Sequence, residues 1–246
     1  MNWFSWEKRI RRAEQLAGEY PATAEILRFY AHVARFQKGV YERLKGEASG
    51  SVLPASLEAD YQPLLRLIRQ VGPAPLAQTA KQLELEPLGF AELLRAIAED
   101  HRFFARVLLQ PYMEYTVNCV EPAAANNPAQ CPGCGEWPLA GVLRGEGDGA
   151  KRWLVCPMCS TEWEFRRMVC PSCGEEDPQH LPIFKTSFFA HVRVEACDRC
   201  HTYIKSIDLT KNGLAVPCVD ELATLPLNLW AQDNGFDKLR RNVFGL

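Results

Sequence analysis

The chain has 246 residues, 47% of them hydrophobic and 24% charged, with a formal net charge of -2. That length holds one or two globular domains with a real core. The near-neutral balance gives no global attraction to nucleic acid or an anionic membrane, and there is no run of 18 apolar residues to cross a bilayer.

From the start, residues 1–20 mix apolar side chains with Glu7, Lys8, Arg9, Arg11 and Arg12, an amphipathic helix pattern rather than a secretory segment. The Lys8-Arg9 and Arg11-Arg12 pairs are expected on its solvated face. Ile26, Tyr30, Val33, Val40 and Leu44 recur at helical spacing and predict a core-facing stripe. Leu57, Tyr61, Leu64, Ile68 and Val71 repeat that pattern up to a stop at Gly72-Pro73. Residues 82–100 and 101–120 read as two more helices, the second expected to kink at Pro111, which has no N–H to donate. Residues 1–120 are therefore predicted to be an all-α domain.

Residues 121–130, with two prolines and two asparagines, predict a linker. Beyond it the hydrophobic period shortens. Residues 138–144 and 151–155 read as one strand pair and 183–189 with 191–196 as another. A final helical segment is expected over about 220–234.

The cysteines organise this second half. Eight of the ten form four Cys-x-x-Cys pairs: Cys131/Cys134, Cys156/Cys159, Cys170/Cys173 and Cys197/Cys200. The first pair recurs after 39 residues and the second after 41, so the region is an internal repeat of knuckle, hairpin, knuckle. Two thiolates two residues apart grip one side of a tetrahedral ion, and four pairs make two complete sites. Three pairings of the knuckles are possible. A hairpin of about 20 residues returns its second knuckle beside its first, which favours Cys131, Cys134, Cys156 and Cys159 in one site and Cys170, Cys173, Cys197 and Cys200 in the other. Pro after the first cysteine and Gly after the second in Cys131-Pro-Gly-Cys134-Gly135 and Cys170-Pro-Ser-Cys173-Gly174 fit tight turns. Ser160 and His201 stand where glycine would be in the closing knuckles, and a metal is expected there as well. The disulfide alternative suits an oxidising compartment, whereas a thiol-rich chain with no export segment is expected in a reducing one.

The expected architecture is α+β and multi-domain. A helical domain (1–120) and linker (121–130) precede two tandem rubredoxin-like or zinc-ribbon-like four-cysteine subdomains (131–168 and 169–210) and a C-terminal helical segment (211–246). Trp153, Trp163, Phe165, Phe188 and Tyr203 are expected to cover the hairpins. By geometry four sulfurs accept zinc or a single iron, and the divalent affinity order leans to zinc. Closed four-sulfur sites leave no position for substrate, which argues against a hydrolytic metal and an enzyme. Cys119 and Cys218 are expected to be small buried hydrophobes. Between Cys131 and Cys218 ten Lys/Arg face eleven Asp/Glu, a poor balance for binding phosphates.

Several segments resemble the formate dehydrogenase accessory protein FdhE family: residues 131–135, 138–144, 156–163 with their Thr161-Glu162-Trp163 run, 167–173, 197–205 and 220–225. Leu108-Leu109-Gln110-Pro111-Tyr112 and Gly235-Phe236 are similar too. The resemblance implies a cytoplasmic assembly factor, not an enzyme, acting on the selenocysteine- or cysteine-containing catalytic subunit before export. It also implies iron at the eight cysteines in a rubredoxin-like arrangement, which tips the metal choice from zinc to iron. An electron-transfer protein is the alternative, and a zinc-ribbon nucleic-acid-binding protein a weaker one.

Overall fold

The computed structural model describes residues 5–46, 54–85, 102–119, 127–147 and 149–246. Most of the expected linker, the expected helix beyond Leu85, and His101 lie outside these residues.

The helical half holds α1 (Trp6–Glu19), α2 (Ala24–Gly46), α3 (Pro54–Val71), α4 (Ala74–Leu85) and α5 (Arg102–Cys119). Ser5 starts α1 by accepting the Lys8 N–H at 3.4 Å, which satisfies one of the free donors of the first turn. At the end of α3 a Cβ on Gly72 would lie 2.5 Å from the Ile68 carbonyl oxygen, so only glycine closes that turn. The predicted stripes face inward: Tyr30, Val33, Val40 and Leu44 of α2 and Tyr61, Leu64 and Ile68 of α3 are buried, with Ile26 and Val71 half-buried. Helix α5 runs through Pro111 without ending.

Among the described residues, seven strands form one sheet: β1 (Ala140–Glu146), β2 (Gly149–Val155), β3 (Glu162–Glu164), β4 (Ile183–Lys185), β5 (Val192–Cys197), β6 (Thr202–Asp208) and the short β7 (Asp237–Lys238). Their order is β3-β2-β1-β6-β5-β4, with β7 beside β6. Both predicted strand pairs are present, the second shorter than expected at its first strand. The sheet runs unbroken through both repeats because β1 and β6 pair in parallel, from Ala140↔Lys205 to Leu143↔Asp208. A Cβ on Gly141 would lie 2.2 Å from Ser206 Oγ, so the two strands can carry their side chains together only with glycine at this position. Arg152 of β2 reaches Glu195 of β5 at 2.8 Å and ties one repeat to the other across the join.

The expected C-terminal helix is two helices, α6 (Pro217–Ala223) and α7 (Leu225–Asp233). One face of the sheet packs on them through Val194, Ala196, Tyr203 and Ala231. On their other side Val219 and Leu222 of α6 join Leu16, Leu27 and Ala34 in the core of the helical half. This shared core overturns one expectation. Arg9 and Arg12, predicted on a solvated face, are buried: Arg9 pairs with Glu114 of α5 at 2.9 Å, and Arg12 donates to both Asp220 carboxylate oxygens at 3.0 and 2.6 Å. Elements pack on both flanks of α1, and a cation enclosed in this way needs an anion beside it. Lys205 is likewise enclosed, with Glu221 at 2.9 Å. Burial opposes charge on Glu221, but Lys205 and Lys238 outweigh it and hold its carboxyl well below the usual range.

Candidate metal centres

The four knuckles come together two by two. Cys131, Cys134, Cys156 and Cys159 form one cluster and Cys170, Cys173, Cys197 and Cys200 the other, with all sulfurs of a cluster within 4.8 Å of one another. The antiparallel ladder β1–β2 brings the first two knuckles together, and β5 with β6 and the Cys170 turn builds the second cluster. In site one Cys131 lies 3.4 Å from Cys159 and Cys134 3.3 Å from Cys156; in site two Cys170–Cys200 and Cys173–Cys197 are both 3.7 Å. These gaps are far longer than a disulfide bond, and all ten cysteines are free. A tetrahedron with metal–sulfur bonds of about 2.3 Å has edges of about 3.8 Å, so site two has the right size and site one is slightly contracted. The donor set fits a zinc or iron ion.

The knuckles share a backbone design. In the first, the Cys131 N–H donates to Glu136 O at 2.9 Å and the Gly135 N–H to Cys131 O at 2.8 Å; the third repeats this between Cys170 and Glu175 at 2.8 Å and between Gly174 and Cys170 at 3.0 Å. The residue after the second cysteine is left-handed in all four: Gly135 (φ 75°), Ser160 (58°), Gly174 (80°) and His201 (54°). Ser160 and His201 thus hold a backbone shape that favours glycine. The turns aim N–H groups at sulfur, as where Met158 and Cys159 donate to Cys156 Sγ at 3.3 and 3.4 Å.

Two threonines complete the sites. Thr161 Oγ1 lies 3.1 Å from Cys159 Sγ, and Thr202 Oγ1 lies 3.0 Å from Cys200 Sγ. Each follows the last cysteine of its site by two positions, and once the sulfur is ionised the hydroxyl is the donor. Burial opposes ionisation of Cys200, but the Thr202 hydroxyl and N–H together with the Cys173 and Cys170 thiols outweigh it and bring the thiol down to about 6. The repeated Cys-x-Thr of Cys159-Ser160-Thr161 and Cys200-His201-Thr202 was the available sequence signal for this pair.

The surroundings of the two sites differ. Met113 and Val117 of α5 pack on the sulfurs of site one, and the Gln110 side-chain amide donates to Pro157 O at 2.7 Å. Glu136 is bound by Arg240 at 2.6 Å and by the buried Arg106 at 3.4 Å. In site two the equivalent Glu175 pairs with the exposed Arg199 at 3.2 Å and accepts the Glu176 and Asp177 N–H groups, and Cys173 is open to solvent.

The other singled-out residues stand apart from the sulfurs. His191 Nε2 lies 2.8 Å from Asp220 Oδ1, and Cys218 contacts the Tyr30 hydroxyl at 3.6 Å. Cys119, expected to be buried, is exposed because it ends α5. Phe165 and Tyr203 are buried as expected, whereas Phe188 is largely exposed, with its ring against Tyr20 and Phe189.

A helical body carrying two closed four-thiolate clusters on one sheet defines a metal-ribbon protein, one whose sites can enclose ions rather than offer them an open position. Residues 130–167 match the FdhE central domain and residues 168–244 the FdhE C-terminal domain. A protein FdhE homolog of Aquifex aeolicus is 29% identical over 100% of this chain and 98% of its own length. A homolog of Haemophilus ducreyi is 26% identical over 97% of this chain and 88% of its own length. The crystal structure of the FdhE protein from Pseudomonas aeruginosa has the same fold, with a TM-score of 0.75 and 23% identity over 97% of this chain and 94% of that one. The chain is thus similar to FdhE proteins along its whole length.

Proposed function

We propose that this chain is a non-enzymatic accessory protein for formate dehydrogenase maturation, holding two metal ions in its cysteine clusters and binding the immature catalytic subunit in the cytoplasm. The observation that carries the metal reading is the pair of four-sulfur clusters with nearly tetrahedral spacing. Cys131, Cys134, Cys156 and Cys159 would hold one ion, and Cys170, Cys173, Cys197 and Cys200 the other. Four sulfurs close each site, which supports a holding role over a catalytic one. The likeness to FdhE proteins supports the client. Iron is the favoured ion by that same likeness; it would add one-electron chemistry, where zinc would supply structure alone.

Affinity capture of the immature catalytic subunit, together with metal analysis and a visible spectrum, tests the reading. Two equivalents of metal and a recovered subunit are expected; metal-free native protein or failure to bind the subunit overturns it. A rubredoxin-like electron carrier is the second reading, favoured by the solvent-open Cys173. It requires a reversible one-electron step in the purified protein.

A further inference from the structure

The two ends of the sheet are treated differently. Near β3, Trp163 donates its indole N–H to Pro128 O at 3.0 Å. At the other end β4 pairs with β5 alone among the described residues. The Ala196 N–H donates to Pro182 O at 3.0 Å. By antiparallel alternation, Pro182 and Phe184 then turn their backbone groups toward β5, while Ile183 and Lys185 turn theirs outward. A bare row of donors and acceptors is a template for another strand.

Each face carries apolar side chains beside the edge, mixed on the Ile183 face with charged ones. On one, Phe184 packs edge-on against the exposed Trp230 with ring centres 4.7 Å apart. On the other, Ile183 borders a cleft whose walls include Met168, Leu181 and Ile204. Ile183 and Met168 are 39% and 43% exposed, large fractions for aliphatic residues beside a free edge.

Charge selects the occupant. Lys185 stands directly across from Arg193 on the same face, an unfavourable pairing of like charges. Glu195 is already engaged by Arg193 at 2.6 Å and Arg152 at 2.8 Å, and Arg167 lines the same cleft. Lys185 has no ion-pair partner among the described residues. A second copy of this chain laid edge to edge would bring another Lys185 and add to the repulsion, so the edge suits an acidic strand better than itself.

We propose that an extended segment of the client protein adds to the sheet beside β4. It places an acidic residue opposite Lys185 and an apolar residue opposite Ile183, where it fills the cleft; the residue between them lies against Trp230. Main-chain hydrogen bonds supply affinity and the alternating side chains supply specificity. This assignment rests on the client-binding reading above.

The test is hydrogen exchange on the metal-loaded full chain, with and without the immature formate dehydrogenase catalytic subunit, alongside binding measurements on Lys185→Glu and Lys185→Arg. The 183 and 185 amides should slow when the subunit is added. Lys185→Glu should weaken the complex about tenfold or more while Lys185→Arg preserves it, both with unchanged metal content and melting temperature. If the subunit binds with these amides unprotected and Lys185→Glu has no effect, the edge assignment is wrong and the accessory reading survives. If the subunit does not bind, both fall. Protection that grows with the concentration of this chain alone means self-pairing and also overturns the assignment.

Discussion

Site one and site two come from one repeated unit, yet one is built into the body of the protein and the other stands at its surface. In site one Cys131, Cys156 and Cys159 are buried beneath α5, and Arg106 and Arg240 hold Glu136 beside them. In site two Cys173 is open to solvent, and Glu175 meets an exposed arginine. The same knuckle thus serves two ends. With metal bound, the enclosed cluster would couple the helical half to the sheet, whereas the open one would stabilise its own hairpin and leave its edge accessible.

The largest expected contrast is between Cys156→Ser and Cys173→Ser. A structural four-sulfur site contributes on the order of 10 kcal/mol, and site one also anchors α5. Cys156→Ser should lose one metal equivalent and lower the melting temperature by roughly 10 °C or more. Cys173→Ser should also lose one equivalent but shift melting less. Equal shifts would break the contrast.

Metal removal should separate the sites in time. With a chelator in excess, loss is expected in two phases, the first releasing one equivalent from site two. Cys173→Ser should abolish that first phase, and a single phase releasing both ions would show that burial does not control access.

The third position of the opening knuckles tests the contact with α5. A Cβ on Gly133 would lie 2.7 and 2.9 Å from the two methyl carbons of Val117, whereas the equivalent position in site two is Ser172. Gly133→Ala should cost about 1–3 kcal/mol by overpacking. Ser172→Ala should stay within about 0.5 kcal/mol. Denaturant unfolding of the loaded protein measures both.

The smallest effects belong to the threonines. Thr161→Val and Thr202→Val each remove one hydroxyl from a sulfur and should cost about 1 kcal/mol or less in stability. The Thr202 change should be milder in metal retention, since water can replace the donor at the more open site. Competition with a coloured chelator measures the difference.

Much of this was legible because its physics is local. Helical stripes such as Tyr61-Leu64-Ile68 declare a buried face by spacing alone, and a hairpin between two knuckles returns the second to the first. Strand β6 was not legible. Residues 203–207 are buried without a break, because β6 is a central strand covered on both faces, so it lacks the two-residue alternation of a half-exposed strand. Lys205 and Ser206 disguise it further, for their burial depends on partners distant in the chain. The same reason hid Arg9 and Arg12, whose charges look solvated until α5 and α6 close over them.

By itself the sequence determined the helical first half, the two hairpins and the grouping of eight thiols into two sets of four, since each rests on spacing within a short stretch. Only the tertiary structure decided that β1 and β6 join both repeats into one sheet, that α5 seals one site, and that β4 pairs on one side alone among the described residues. Those outcomes depend on which surfaces remain unburied once distant segments meet, and no local pattern records that.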